Sequence, residues 1–332
     1  MTPIIQVTDL RKLFPVKKQT LFDREELFVH AVDGVSLEVA RGEVLALVGE
    51  SGCGKSTLAL TLVGLERPTS GHITIAGQEI SNLNNKGLRM ARRHIQMIFQ
   101  DPYESLNPMM TIGDIVAEPL VVHKLARDKK EREALVIRAL EDAGLKPANN
   151  FIHRLPHELS GGQRQRVVIA GALVLEPDVL LADEPVSMLD VSIRAEILNL
   201  LVELRQSRGI SILLITHDLG TVGYIADRIA VMYLGRIVEI GPSLAILQNP
   251  QHPYTKALLS VVPVPNPRQR RERIILQGET PNPINLPSGC RFHPRCPIAQ
   301  PHCREIDPQL RLIPAGHEVA CLEVEPKVRV GN

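Results

Sequence analysis

Apolar and polar positions alternate between residues 4 and 48, as in Ile5-Gln-Val-Thr-Asp9 and Val35-Ser-Leu-Glu-Val39, the period-two pattern of antiparallel strands. The alternation closes in an unbroken apolar run, Val44-Leu-Ala-Leu-Val48, which suits a strand buried on both faces. Further short strands are expected in the stretches 71–77 and 95–99. From Asp101 to about Ala172 the pattern changes: a proline-rich loop leads into the charged stretch 127–140, whose apolar residues recur near helical spacing, so a helical subdomain is expected to be inserted here. Strand character returns in 179–182 and 212–215, with a helical stretch at 193–205 between them. That alternation predicts a parallel sheet with crossover helices.

The buried run at 44–48 leads into the stretch's chemistry. Gly49, Gly52 and Gly54 strip side chains from the turn, so that backbone N–H groups can approach phosphate oxygens. The spacing Gly49-x-x-x-x-Gly54-Lys55-Ser56 matches the P-loop, in which the lysine reaches the β/γ-phosphates and the serine hydroxyl ligates Mg²⁺; Ser51 and Thr57 complete the expected phosphate-binding set. The apolar run at 179–182 ends in Asp183 and Glu184. A P-loop protein needs an acid there for Mg²⁺, a role that fits Asp183, while Glu184 is placed to polarise the water that attacks the γ-phosphate. A second glycine-rich helix start, Leu159-Ser-Gly-Gly-Gln163, offers another anion site.

With that motif the chain resembles the nucleotide-binding subunit of ATP-binding cassette (ABC) transporters over most of residues 5 to 245. The resemblance implies an α/β P-loop NTPase: a RecA-like parallel sheet, an antiparallel β subdomain and the inserted helical subdomain at about 101–172, with a small cysteine-containing C-terminal extension at 246–332. It makes Gln100 the Q-loop glutamine and a Mg²⁺ contact, Ser187-Met-Leu-Asp190 the D-loop, and His217 the switch histidine. Met188 departs from the alanine usual at its position. ATP is expected to lie between the P-loop of one subunit and Ser160, Gly161, Gly162, Gln163 and Asp190 of another, so the working unit is a dimer. Adenine stacking falls to an aromatic upstream of the P-loop; Phe14 fits best, with Phe22 and Phe28 competing.

Asn249-Pro-Gln-His-Pro-Tyr-Thr-Lys-Ala-Leu-Leu259 and Gly289-Cys-Arg-Phe-His-Pro-Arg-Cys-Pro297 are similar to the C-terminal extension of oligopeptide and dipeptide importer ATPases. That branch implies a peripheral ATPase on the cytoplasmic side of the membrane, working with two permease subunits, a second identical or homologous ATPase and an extracytoplasmic binding protein. Its members also include importers of nickel, glutathione and opines. The competing class is a soluble ABC ATPase acting on DNA or ribosomes, but those commonly carry two cassettes or a long coiled coil, and this chain has one P-loop and no sustained heptads.

Composition adds bounds. The 332 residues are 44% hydrophobic, enough for a main domain and a smaller one, and 38 basic against 37 acidic residues leave no overall electrostatic footprint for nucleic acid. The longest apolar run, 167–175, is too short to span a bilayer, and the N-terminus lacks a signal-peptide layout, so the cytoplasm is expected and structural disulfides are not. The stretch 263–267 reads as a stiff linker and Arg268, Arg270, Arg271 and Arg273 as its solvated charges. Cys290, Cys296, Cys303 and Cys321, spaced C-x5-C-x6-C-x17-C, suit metal ligation better than disulfides in that compartment, although the spacing names no metal. Some members of the branch carry an iron–sulfur cluster on this set, and four thiolates suit [4Fe–4S]; Zn²⁺ is the alternative, with His293, His302 and His317 near enough in sequence to replace a ligand.

Overall fold

The computed structural model describes residues 2–16, 26–262 and 272–324. Phe22, the linker at 263–267 and Arg268, Arg270 and Arg271 lie outside the described residues. By contacts the chain divides into two interleaved units. One takes the chain up to Gln6, Glu38–Glu43 and Thr74–Leu214; the other takes Val7–Leu37, Val44–Ile73 and everything described from Ile215 on.

In the first unit the strands Ile95–Ile98 and Val179–Asp183 run parallel in register Ile95↔Val179 to Ile98↔Ala182. All five residues of Val179–Asp183 are buried, as expected for a strand covered on both faces. Three helices, Ile112–His123, Lys129–Asp142 and Gly161–Leu173, pack on one another. Each start has its own cap: Thr111 Oγ1 accepts from Asp114 N–H, Asp128 from Glu131 N–H and Ser160 from Gln163 N–H, satisfying amides that a helix N-terminus leaves unpaired. The Asp128 cap sets the second of these starts at Lys129. The helix Ile112–His123 falls where the sequence pattern suggested loop, and it carries Pro119 inside it. Between residues 100 and 110 the helical structure is one short turn, Pro102–Ser105, capped by Asp101.

In the second unit the buried strand Val44–Val48 runs parallel to Arg228–Tyr233, which turns back antiparallel into Arg236–Pro242. The C-terminal segment adds two short strands beyond this edge: Glu318–Val319 pairs antiparallel with Arg236–Pro242, and Arg311–Leu312 with Glu318–Val319. Under the first pairing lies a buried polar knot. The Glu239 carboxylate, 0% exposed, accepts from Gln251 N–H (2.8 Å) and His252 N–H (3.1 Å), and His317 Nε2 lies 2.7 Å from its Oε1. Two backbone N–H donors and an imidazole nitrogen close to the carboxylate offset the cost of burying it. Burial drives His252 down to about pKa 4. Its Nδ1 accepts from Tyr254 N–H at 3.1 Å, so the neutral ring is the form this hydrogen bond requires.

Among the described residues no helix is long and apolar enough to cross a membrane.

Candidate nucleotide site

The P-loop joins the strand Val44–Val48 to the helix Lys55–Leu62. Two of its glycines are obligatory on steric grounds. A Cβ on Gly49 would meet Met232 O at 2.2 Å, and one on Gly54, whose φ is +106°, would meet Ala31 O at 1.9 Å. The loop is thus pressed on its inner side against backbone, which leaves its outer side for a ligand. Lys55 is buried, and its Nζ donates to Gly49 O and Glu50 O, each at 2.9 Å, so the ammonium is drawn back over the loop. Ser51, Gly52 and Ser56 are exposed and Thr57 is half-buried, its carbonyl accepting from Thr61 Oγ1. Cys53 packs inside the loop, with its thiol pushed up by burial. This arrangement fits a polyphosphate: a glycine-rich turn, a helix N-terminus and a tethered ammonium.

In the first unit Asp183 is buried at the end of its strand, and Glu184 takes a positive φ of +46° immediately after it. Gln100 Nε2 donates to Glu184 Oε2 at 3.1 Å, which brings the predicted Q-loop glutamine to the predicted base. The strand-to-turn change at Glu184 is reinforced by Ser187, whose N–H and hydroxyl both donate to Glu184 O. Asp190 is exposed just before the helix Val191–Arg208. Ser160 and Gln163 form a reciprocal capping box: Gln163 N–H donates to Ser160 Oγ at 3.3 Å and Ser160 N–H to Gln163 Oε1 at 3.0 Å. Gly162 is buried, and a Cβ there would meet Ile193 Cγ2 at 2.7 Å; Gly161 is half-buried.

In the second unit His217 is exposed directly after the strand Ser211–Thr216. Phe14 is half-buried, and Lys12 Nζ lies 4.5 Å from its ring centroid, so a cation already occupies one face.

The four C-terminal cysteines are free thiols, as is Cys53. Cys290 and Cys303 are tied by a Cys290 N–H to Cys303 O hydrogen bond of 2.8 Å. Cys290 is pushed up to about 11, first by burial and then by the nearby thiols of Cys321, Cys296 and Cys303; burial likewise raises Cys296 and Cys321. Among the described residues the donor atoms that converge within 4.8 Å are those of His302, Cys303 and Glu323. His293 and His317 are engaged elsewhere, His293 Nδ1 with Cys290 O at 2.9 Å and His317 with Glu239.

One P-loop residue escaped the sequence reading. Glu50 sits at an unspecified position of the motif, yet its carboxylate is gripped by Arg295 Nη1 (2.9 Å) and Nη2 (3.2 Å), and Thr280 Oγ1 donates to it at 2.8 Å. Its N–H donates to Tyr254 Oη at 2.8 Å. These partners lie more than two hundred residues away in sequence.

The family model for ABC transporters matches residues 32–187, and that for the oligopeptide/dipeptide transporter C-terminal region matches residues 238–303. Among solved structures, the ATP-binding cassette MJ0796 in a dimeric post-hydrolysis state with ADP and Pi is similar at TM-score 0.63 and 29% identity, covering 72% of this chain and 98% of that one. CbiO1 from Clostridium perfringens, part of the ABC transporter complex cbiONQ, is similar at TM-score 0.64 and 32% identity, over 74% of this chain and 91% of that one. The class is therefore the P-loop ATPase of ABC transporters. The oligopeptide transport ATP-binding protein AppF of Bacillus subtilis (strain 168) is 49% identical over 96% of each chain. The oligopeptide transport ATP-binding protein OppF of Escherichia coli (strain K12) is 47% identical over 97% of each, and the dipeptide transport ATP-binding protein DppF of Haemophilus influenzae (strain ATCC 51907 / DSM 11121 / KW20 / Rd) 48% over 98% of each. Within the ABC transporters, this chain belongs to the family of oligopeptide and dipeptide transport ATP-binding proteins.

Proposed function

We propose that the chain is the ATP-hydrolysing subunit of a membrane importer that takes up di- and oligopeptides. What supports this most is the pairing, in one chain, of an ABC cassette with the C-terminal region of oligopeptide/dipeptide transporters. In this reading it works on the cytoplasmic face of the membrane with two permease subunits, a second ATP-binding subunit and an extracytoplasmic peptide-binding protein.

The chemistry follows from the side chains. Lys55 offsets charge on the β/γ-phosphates, and the amides of the glycine loop fix the phosphate chain before reaction, so little reorganisation is left for the transition state. Ser56, Asp183 and Gln100 would supply oxygen ligands for Mg²⁺, which would neutralise charge on the phosphates. Glu184 takes the proton of the attacking water, its carboxylate oriented by the Gln100 amide; His217 steadies the water and the γ-phosphate. Ser160, Gly161, Gly162, Gln163 and Asp190 serve the partner subunit's nucleotide through the amide-rich helix start. Phe14 stacks the adenine. The exposed Tyr103, within the short turn Pro102–Ser105, and Met109 after it form the surface that follows the permeases. The test is ATP hydrolysis by the assembled transporter. Peptide-loaded binding protein raises it and nickel or glutathione leaves it flat; stimulation by nickel or glutathione alone contradicts the peptide assignment.

We further propose that Cys290, Cys296, Cys303 and Cys321 hold a [4Fe–4S] cluster, supported by four free thiols in one small segment, with the Cys290 thiol raised by burial and by its three cysteine neighbours. Bound there, such a cluster would brace the segment through its four cysteines. Anaerobically purified protein then carries about four iron and four acid-labile sulfide per chain. Absence of both contradicts the cluster, and zinc in their place selects the alternative metal.

A further inference from the structure

All the polar groups of Glu50 are engaged. Its carbonyl accepts from Lys55 Nζ, its N–H donates to Tyr254 Oη, and its carboxylate is held two-pronged by Arg295 with Thr280 on the same oxygen. The far ends of these contacts are themselves fixed. Tyr254 is fully buried in an aromatic cluster, its ring centroid 4.7 Å from that of Tyr233 and 5.5 Å from that of Phe292. Arg295 is only 9% exposed at the side chain, against 28% for Glu50, and Thr280 Oγ1 is also within 3.1 Å of its Nη1. Four residues before Arg295, the buried Arg291 bonds Leu234 O at 2.5 Å and pairs with Asp33. The segment is thus anchored on both sides of Phe292 before it reaches the loop.

A carboxylate inside a phosphate-binding loop has two consequences. Unpaired, it repels the incoming polyphosphate; paired and held, it becomes a handle on the backbone that Lys55 is tied to. We propose that the C-terminal segment is a positioning element of the nucleotide site: Tyr254, Thr280 and Arg295 hold Glu50, and through it keep the P-loop and Lys55 in their phosphate-binding shape. Arg295 is a positioning residue, acting through Glu50 and touching no reacting atom. Because it directly precedes Cys296, whatever orders the cysteine segment also orders the P-loop. Linkage makes the effect reciprocal, so bound nucleotide steadies the segment around 291–296.

The proposal rests on the P-loop being the ATP site, and the two are separated by a control. MgADP affinity and the KM for ATP are measured on the full-length chain and its assembled transporter. Lys55→Ala loses nucleotide affinity if the P-loop is the site, whatever Arg295 does. Arg295→Ala is expected to weaken MgADP binding and raise the KM by about tenfold, with kcat changing less than the KM, because a two-pronged charged hydrogen bond is removed. Arg295→Lys restores the charge without the fork and falls between. Tyr254→Phe keeps the ring packing and loses only the acceptor of Glu50 N–H, for a loss of about two- to fivefold. In the Arg295→Ala background, Glu50→Gln brings no further loss, since the two act as one unit. Amide exchange in residues 291–296 slows with MgADP in the wild type and does not in Arg295→Lys. Wild-type affinity in Arg295→Ala, with Lys55→Ala impaired, overturns the proposal, as do additive losses in the double variant. Should Arg295→Ala fail to fold, wild-type affinity in both Arg295→Lys and Tyr254→Phe overturns it equally.

Discussion

Lys55 sits where the loop's carbonyls converge, and the variants around it separate binding from chemistry. Lys55→Ala removes the ammonium proposed to meet the phosphates, and nucleotide affinity is expected to drop at least about tenfold in equilibrium binding. Glu184→Gln preserves size and the contact with Gln100 but cannot take a proton. ATP binding therefore persists while kcat falls about 10²- to 10⁴-fold, and the nucleotide-bound dimer accumulates on size exclusion. Undiminished turnover in this variant removes Glu184 from the base role. His252 sets a pH dependence far from this chemistry. Its folded-state value of about 4 lies below the ordinary 6.5, so the unfolded chain binds the proton more readily. Stability is then fully present above pH 6.5, declines as the pH falls and levels off near 4; by pH 5 the loss from this group is about 2 kcal/mol. Urea unfolding at pH 7 and pH 5 checks this, with the slope flattened in His252→Gln. The motif residues were legible because phosphate chemistry fixes their spacing. Glu50 was not, since the same pattern leaves its position open and its partners are brought to it only by the fold.

Among the elements, the buried strands Val44–Val48 and Val179–Asp183 and the helix Gly161–Leu173 followed from local signals: apolar runs, and a serine and two glycines at a helix start. The helix Ile112–His123 did not. Pro119 reads as a breaker, yet the packing of this helix on Lys129–Asp142 and Gly161–Leu173 outweighs the backbone hydrogen bond that proline forgoes. The two-residue strands Arg311–Leu312 and Glu318–Val319 are too short to leave a periodic trace, and tertiary pairing alone creates them. What holds the second of them is testable. His317→Ala leaves the buried Glu239 carboxylate with one partner fewer, and unfolding free energy should fall by about 2–3 kcal/mol with the denaturant slope unchanged. A loss below about 0.5 kcal/mol would show that this contact does not anchor the strand.

At the scale of the molecule, the C-terminal region is more than an appendage to the cassette. It extends the sheet edge of its unit and reaches the P-loop through Arg295 and Thr280, so the part that distinguishes this branch of ABC transporters is mechanically joined to the part common to them all. The exposed Met188, 57% accessible, and Val191 flank Asp190 and present an apolar surface beside the residues assigned to the partner subunit's nucleotide. The measurement that bears most directly on the whole account is uptake of labelled di- and oligopeptides, with nickel and glutathione alongside, in cells whose only copy of this chain carries Lys55→Ala. Peptide entry is predicted to stop while nickel and glutathione continue at wild-type rates. Undiminished peptide entry, with the variant present at normal abundance, would contradict the assignment of this chain as the ATPase of a peptide importer.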